Sequence, residues 1–171
     1  MVRDDRQPGG GESPFVEDAP PLPLRGHALS LVLADVLAAG RLFRFTARGG
    51  SMVPFIRDGD VLTVAPLDST APAPGDVVAC SDPDRAAGVV VHRVVRASAA
   101  GYVLQGDALD DNDGEFEPGQ ILGLVREITR SGRTTTRGLG ASGSLIAFAK
   151  RHPRAGRFIL RLLRFGARST G

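Results

Sequence analysis

Six short runs rich in β-branched residues constrain this chain more than any other feature of its sequence. Glycine, proline or aspartate separates them, and they span 42–47, 61–64, 76–80, 89–95, 102–105 and 121–128. Runs of this length between turn residues are typical of strands. Because only 5% of the residues are aromatic, the core must consist mainly of aliphatic side chains. The sequence therefore predicts a compact, mainly β domain.

The segments outside these runs predict the domain boundaries. Residues 1–25 are rich in proline, glycine and acidic side chains, which predicts a disordered tail. The β domain is expected at 26–130 and begins with a short helix at 27–40. Residues 131–143 have the Gly/Ser/Thr/Arg composition of a linker. Residues 144–171 have the pattern of a basic amphipathic helix.

Charge is distributed unevenly along the chain. Residues 1–125 carry 10 basic and 18 acidic side chains, whereas residues 126–171 carry 11 basic and one acidic. Such a basic segment predicts an anionic partner. Apolar side chains and arginines occupy different faces of 144–168, which favours either docking on the β domain or peripheral attachment to anionic lipid. Nucleic-acid binding is disfavoured because no aromatic stacking residues are interleaved with the arginines.

The sequence predicts neither a transmembrane helix nor a secretory signal peptide. The longest apolar run near the N-terminus, 28–40, contains Asp35 and falls short of the roughly 20 residues that cross a bilayer. Acidic residues precede this run where a signal peptide would be basic. The single cysteine, Cys80, is compatible with a reducing compartment. We expect a cytoplasmic or peripherally membrane-associated protein.

Four short segments supply the residue types that acyl transfer requires, although each alone is typical of a turn, a core histidine or a solvated loop. Ser51 is a nucleophile, and the preceding Gly50 lets a peptide backbone approach closely. His92 is the only histidine within the predicted strands, and therefore the only neutral-pH base there. An aspartate of the acidic loop after residue 105 would orient its imidazole. Backbone N–H groups around Ser51 would form an oxyanion hole.

The acidic loop also matches the middle of a calcium-binding EF-hand at Asp111, Asp113 and Gly114. The match fails at both ends, because Leu109 stands at the first ligand position and Gln120 at the twelfth. We therefore expect neither a metal nor another cofactor.

The order of these segments resembles the signal peptidase family, in the superfamily that includes self-cleaving phage and SOS-type repressors. The family's Ser-Met-x-Pro motif, its following Gly-Asp and its Gly-Asp-hydrophobic box are matched by Ser51, Met52, Pro54, Gly59, Asp60, Gly75 and Asp76. The resemblance covers about 42–128. It implies a coiled β-sheet or barrel and a serine endopeptidase that cleaves an extended peptide after small residues. Gly50, Met52 and Pro54 are then expected to contact the substrate.

The general base divides this superfamily into Ser/Lys and Ser/His branches. The base position here is His92, followed by Arg93, and the only lysine is Lys150, beyond the predicted linker. The resemblance therefore implies the Ser/His branch of the archaeal and endoplasmic-reticulum enzymes.

That branch also carries a Gly-Asp pair with a second aspartate six residues after the first, which Asp107 and Asp113 match. We predict Asp113 as the third catalytic residue and Asp107 as a structural or supporting acid. Asp110 and Asp111 remain open because the loop register is not fixed by sequence.

Two features depart from the family, and two other functions stay open. Gly49 stands where members carry a serine whose hydroxyl assists the oxyanion hole, and loss of one such donor lowers the rate on the order of 100-fold. The membrane anchor expected before the β domain is not seen. The alternatives are a cytosolic peptidase that matures a leader peptide and an inactive, repressor-like peptide-binding module. About 40 residues precede the first predicted strand, and roughly 25 of them have the composition of a disordered tail. This is too little for a helix-turn-helix DNA-binding unit, which disfavours a repressor.

Overall fold

A computed structural model of the chain describes residues 26–82 and 88–151. Its elements, in chain order, are α1 (His27–Ala38), β1 (Phe43–Thr46), β2 (Val61–Ala65), β3 (Val77–Ser81), β4 (Val89–Ser98), β5 (Gly101–Gln105), β6 (Glu115–Phe116), a 3₁₀ turn (Pro118–Gln120), β7 (Ile121–Arg130), β8 (Arg133–Thr135) and α2 (Ala141–Arg151). The predicted tail at 1–25 and residues 152–171 of the predicted basic helix lie outside the described residues.

The eight strands of the described residues form one antiparallel sheet, which confirms the prediction of a mainly β fold. The strand order is β1-β2-β7-β3-β4-β5-β6, and β8 pairs with β7 outside this path. The sheet is open and does not close into a barrel. All six predicted strands are present. The sequence missed β6 and β8, which are only two and three residues long.

Both faces of this sheet are buried, and each has its own apolar cluster. Along β3, Val77 and Ala79 belong to one cluster, whereas Val78 and Cys80 belong to the other. Successive side chains of a strand point to opposite faces, so a strand covered on both faces is apolar at every position. This is why the sequence shows continuous β-branched runs instead of alternation. Helix α1 covers the first face with Leu33 and Leu37, which lie one turn apart.

Residues 131–143 differ from the predicted linker. Ser131 and Gly132, both at positive φ, turn the chain so that β8 pairs back onto β7. Leu139 then joins the first apolar cluster, and α2 begins at Ala141. The Gly/Ser/Thr composition that suggested a linker instead serves a tight turn and a short edge strand.

Helix α2 docks on the β domain. Ile146 and Ala147 are buried and the helix contacts β4, whereas Leu145 and Phe148 are 45% and 50% exposed. The apolar side chains at 158–163, which the docking and membrane alternatives concern, lie outside the described residues and stay a prediction. Neither α1 nor α2 is long and apolar enough to span a bilayer, and these are the only α-helices among the described residues.

The burial of Ile146 gives a direct test of this docking. We expect Ile146→Ala to lower the free energy of unfolding by about 2–4 kcal/mol, because it removes buried methyl groups and leaves a cavity. Leu145→Ala on the exposed face is the matched control and should cost less than about 0.5 kcal/mol. Urea unfolding of both variants measures the difference. Equal effects would contradict the docked orientation.

Candidate active site

Strand β4 presents two consecutive buried polar side chains between apolar neighbours. His92 and Arg93 are 2% and 0% exposed. Because neighbours on a strand point to opposite faces, His92 lies on the face of Val90 and Val94, and Arg93 lies on the other. Each of these buried polar groups requires hydrogen-bond partners, and loops from other parts of the chain supply them.

His92 joins Ser51 and Asp113 in one hydrogen-bonded chain. Its Nε2 atom lies 2.8 Å from Ser51 Oγ, and its Nδ1 atom lies 2.5 Å from Asp113 Oδ2. An ionised carboxylate only accepts hydrogen bonds, so Nδ1 carries the proton and Nε2 of the neutral ring accepts from the serine hydroxyl. This is the arrangement in which an imidazole removes a proton from a serine nucleophile.

Strand register brings Asp113 to the histidine. Arg93 pairs with Gln105 at the end of β5, so the acidic loop leaves the sheet beside His92. The backbone N–H of Asp113 donates to Leu104 O and returns the loop to β5. The Gln105 side chain donates to two backbone carbonyls in between, those of Leu109 and Asp110. Of the aspartates that the sequence left open, Asp113 contacts His92, whereas Asp110 and Asp111 are exposed.

Asp107 contacts Arg93 and not the histidine. Its two carboxylate oxygens accept from Arg93 Nε at 2.8 Å and Nη2 at 2.5 Å. The remaining nitrogen, Nη1, donates to Gly75 O and Gly138 O, both at 2.8 Å. Of the two roles predicted for Asp107, these contacts are those of a structural acid. The Cζ atom of Arg93 also lies 5.9 Å from the centre of the Phe55 ring.

The loop that carries Ser51 is held tightly against the acidic loop. Ala108 N–H donates to Ser51 O at 2.8 Å. Gly106 allows this approach, because a Cβ atom there would lie 2.7 Å from the same oxygen. The Met52 side chain is buried in the first apolar cluster, which attaches the loop to the core. Met52 was predicted to contact the substrate, but this side chain lies in the core.

The other two residues predicted to contact the substrate, Gly50 and Pro54, are less buried than Met52. Gly50 is exposed beside Ser51, and Pro54 is half-buried after a cis peptide bond. Gly49 has φ +88°, which disfavours the serine that the family carries there, and its N–H donates to Asp58. Within the described ranges, no acceptor contacts the N–H of Ser51.

A second, partly buried ion pair lies at the C-terminal end of the loop that carries Ser51. Arg130 donates to both carboxylate oxygens of Asp60 at 2.7 and 2.6 Å and to Phe55 O at 2.9 Å. Burial raises the pKa of Asp60, but hydrogen bonds from Arg130 and from the Arg57 N–H outweigh this and hold the pKa below its usual value of 3.8. The hydrogen bond with Asp60 raises the pKa of Arg130 in turn.

Sequence reasoning missed the structural roles of Arg93 and Arg130. One signal was present for Arg93, because a cation inside a β-branched run must be buried with a partner. The partners of Arg130 come from positions 55 and 60, about 70 residues away, and no local pattern indicates them. Among residues 26–82 and 88–151, no cluster of three or more His, Cys, Asp or Glu has an arrangement that could hold a metal.

Comparison with protein-family models, with curated proteins and with solved structures found no match for this chain.

The lowered pKa of Asp60 gives a testable pH dependence. A carboxyl whose pKa is lower in the folded state stabilises the fold above its unfolded pKa and loses that contribution as the pH falls through the folded value. We expect Asp60→Asn to lower the free energy of unfolding by about 1–3 kcal/mol near pH 7, because Arg130 loses its partner.

As the pH falls below 3.8, the usual pKa of Asp60, the difference between wild type and variant should shrink, because the wild-type carboxyl is protonated too. Urea unfolding at several pH values measures it. Asp68→Asn is the control, since Asp68 and its partner Arg126 are more than half exposed, and it should have little effect. A difference that stays constant with pH would contradict the assignment.

Proposed function

We propose that this protein is a serine endopeptidase of the signal-peptidase type that uses a Ser51/His92 mechanism. The observation that carries the proposal is the hydrogen-bonded chain from Ser51 Oγ through the His92 ring to Asp113. Ordinary core packing does not require a serine, a histidine and an aspartate in this order. Lys150, the only lysine of the chain, follows Ile146 in α2, far along the chain from the nucleophile loop.

The geometry supports a two-step acyl transfer. His92 Nε2 takes the proton of Ser51 while Oγ attacks the carbonyl carbon of the scissile bond, and Asp113 stabilises the imidazolium that forms. The Ser51 N–H donates to the oxyanion. His92 then gives its proton to the leaving amine as the C–N bond breaks. A water molecule, deprotonated by the same nitrogen, hydrolyses the ester and restores Ser51.

The open edge of the sheet supports an extended peptide as the substrate. Strand β1 ends the strand order and pairs with β2 on one side, and the chain runs from Thr46 through exposed residues 48–50 to Ser51. A peptide added along this edge would pair with backbone groups as a further strand. The preference for small side chains before the scissile bond, and the processing of signal or leader peptides, follow from the family resemblance. An inactive binding module is the weaker alternative, because it has no use for the aligned His92 and Asp113.

The identity of the base gives the first test of this proposal. We expect His92→Ala to reduce cleavage of a peptide library by about 10⁴-fold or more, because the nucleophile loses its proton acceptor. Ser51→Ala should be equally inactive, and it should perturb the fold less than His92→Ala because it removes only a hydroxyl group. Lys150→Ala is the matched control and should cleave at the wild-type rate. A folded but inactive Lys150→Ala protein, checked by circular dichroism, would overturn the Ser/His mechanism.

The identity of the acid gives the second test. Asp113→Asn should lower kcat by about 10³–10⁴-fold, because the amide no longer stabilises the imidazolium and favours the wrong tautomer. Asp111→Asn, an exposed neighbour in the same loop, should change kcat less than about threefold. Steady-state kinetics on one cleaved peptide measures both, with the melting temperature as the fold check. The reverse order of effects would show that a different carboxylate serves the histidine.

A further inference from the structure

Strand β1 ends the sheet, and one of its edges has no partner strand among the described residues. The other edge pairs with β2, and Ala47 extends this pairing because its N–H donates to Asp60 O. Backbone groups of successive residues in an antiparallel strand point to alternate sides. The N–H and C=O of Thr46 therefore point away from β2, toward the open edge. Such an edge is a template for pairing with another chain.

The two faces of β1 differ in polarity. Phe43, Phe45 and Ala47 lie in or pack against the first apolar cluster. Because side chains of a strand alternate between faces, Arg44 and Arg48 share the opposite face, about 13 Å apart at ~3.3 Å per residue. Both arginines are exposed. Within the described ranges neither of them forms an ion pair.

Nearby acidic side chains do not neutralise these two arginines. Glu127 stands two strands away in the same row of the sheet, about 10 Å from Arg44 between Cα atoms. Salt at physiological concentration largely screens exposed charges at that distance. Asp58 accepts from Gly49 N–H at 2.9 Å and forms no ion pair with Arg48. The outward face of this edge is therefore positive and favours an acidic partner.

We propose that the substrate of the Ser51 site is an extended peptide in which acidic and apolar side chains alternate. Directly opposite side chains of paired strands share a face. A peptide paired along β1 would therefore place its carboxylates beside Arg44 and Arg48. Its apolar side chains would contact the half-buried rings of Phe43 and Phe45, whose centres lie 6.2 Å apart. This inference rests on the proposed function, because it assigns the substrate class of that site.

Two other occupants of this edge fit its charges less well. A second copy of the chain, paired antiparallel through β1, would bring the arginines of both copies together, and like charges on paired strands are destabilising. An anionic bilayer requires apolar side chains that insert beside the positive charge. The strand neighbours of Arg44, which are Phe43 and Phe45, instead pack against the first apolar cluster. Opposite polarities on the two faces of one strand match an amphipathic strand.

Binding and cleavage of designed peptides by the full chain test the inference. In the test peptide, glutamate and valine alternate on both sides of a short alanine segment, so that either chain direction along β1 is sampled. One control peptide has glutamine in place of glutamate, and the other has the same residues with the glutamates grouped together. Fluorescence anisotropy with Ser51→Ala protein measures binding without cleavage. Mass spectrometry of the products of the wild type measures cleavage.

A pair of double variants separates the edge from total charge. Arg44→Gln/Arg48→Gln removes both charges from the β1 edge. Arg96→Gln/Arg133→Gln is the matched control, because it removes two exposed arginines of β4 and β8 that also form no ion pair within the described ranges. Circular dichroism checks the fold of both.

We expect the test peptide to bind at least about threefold more tightly than either control peptide at low salt, as two exposed ion pairs allow. This preference should disappear in the edge variant, persist in the matched control and fade at about 1 M salt, where the screening length is ~3 Å. The wild type should cleave the test peptide fastest.

Equal affinity for all the peptides, or a preference that the edge variant retains, would overturn the inference, whereas cleavage by the wild type would still support the proposed function. Selective binding without any cleavage would support docking on β1 and overturn the peptidase assignment. Binding of anionic vesicles or RNA that the edge variant abolishes, without selectivity among the peptides, would overturn the inference and identify another occupant.

Discussion

The ion pair between Arg93 and Asp107 joins parts of the chain that are distant in sequence. Arg93 is fully buried in β4, Asp107 follows β5, and the two carbonyls that Arg93 also binds belong to Gly75 and Gly138. Removal of one partner from such a buried pair costs about 3–5 kcal/mol, because the other charge is left without compensation. The acidic loop, the turn before β3 and the residues before α2 therefore all depend on the guanidinium of Arg93, the residue that directly follows His92 in the chain.

Because successive side chains of a strand point to opposite faces, His92 and Arg93 lie on different sides of the sheet. His92 lies on one face of the sheet with Ser51 and Asp113, and Arg93 points to the opposite face, where it binds Asp107 and two backbone carbonyls. The three residues of the proposed triad come from two loops and a strand. Ala108 N–H donates to Ser51 O and Asp113 N–H donates to Leu104 O, whereas His92 is held by the pairing of β4 with β3. Such preorganisation lowers the cost of aligning a nucleophile and its base during the reaction.

The sequence predicted the longer strands, but it did not predict the two shortest strands or establish which aspartate contacts His92. Burial on both faces gives β2, β3, β4 and β7 consecutive apolar residues, so their β-branched runs are visible without any structure. The very short β6 and β8 carry no such signal. The family resemblance implied Asp113 through its spacing to Asp107, but only the structure shows that this carboxylate reaches His92 Nδ1. The Asp113 N–H donates to Leu104 O, and the Gln105 amide donates to carbonyls of the same loop, which holds the carboxylate in place. Composition at 131–143 did not reveal β8, because turn residues of a hairpin and residues of a linker share one composition.

The central claim is that Ser51 is activated by His92, and labelling with a fluorophosphonate followed by mass spectrometry tests it most directly. A fluorophosphonate forms a covalent phosphonyl ester with an activated serine and releases fluoride, and it needs no knowledge of the natural substrate. We expect one adduct, on the peptide containing Ser51, and its loss in His92→Ala although the serine hydroxyl is still present. No labelling of the folded wild type, or equal labelling of Ser51 when His92 is replaced, would contradict the claim.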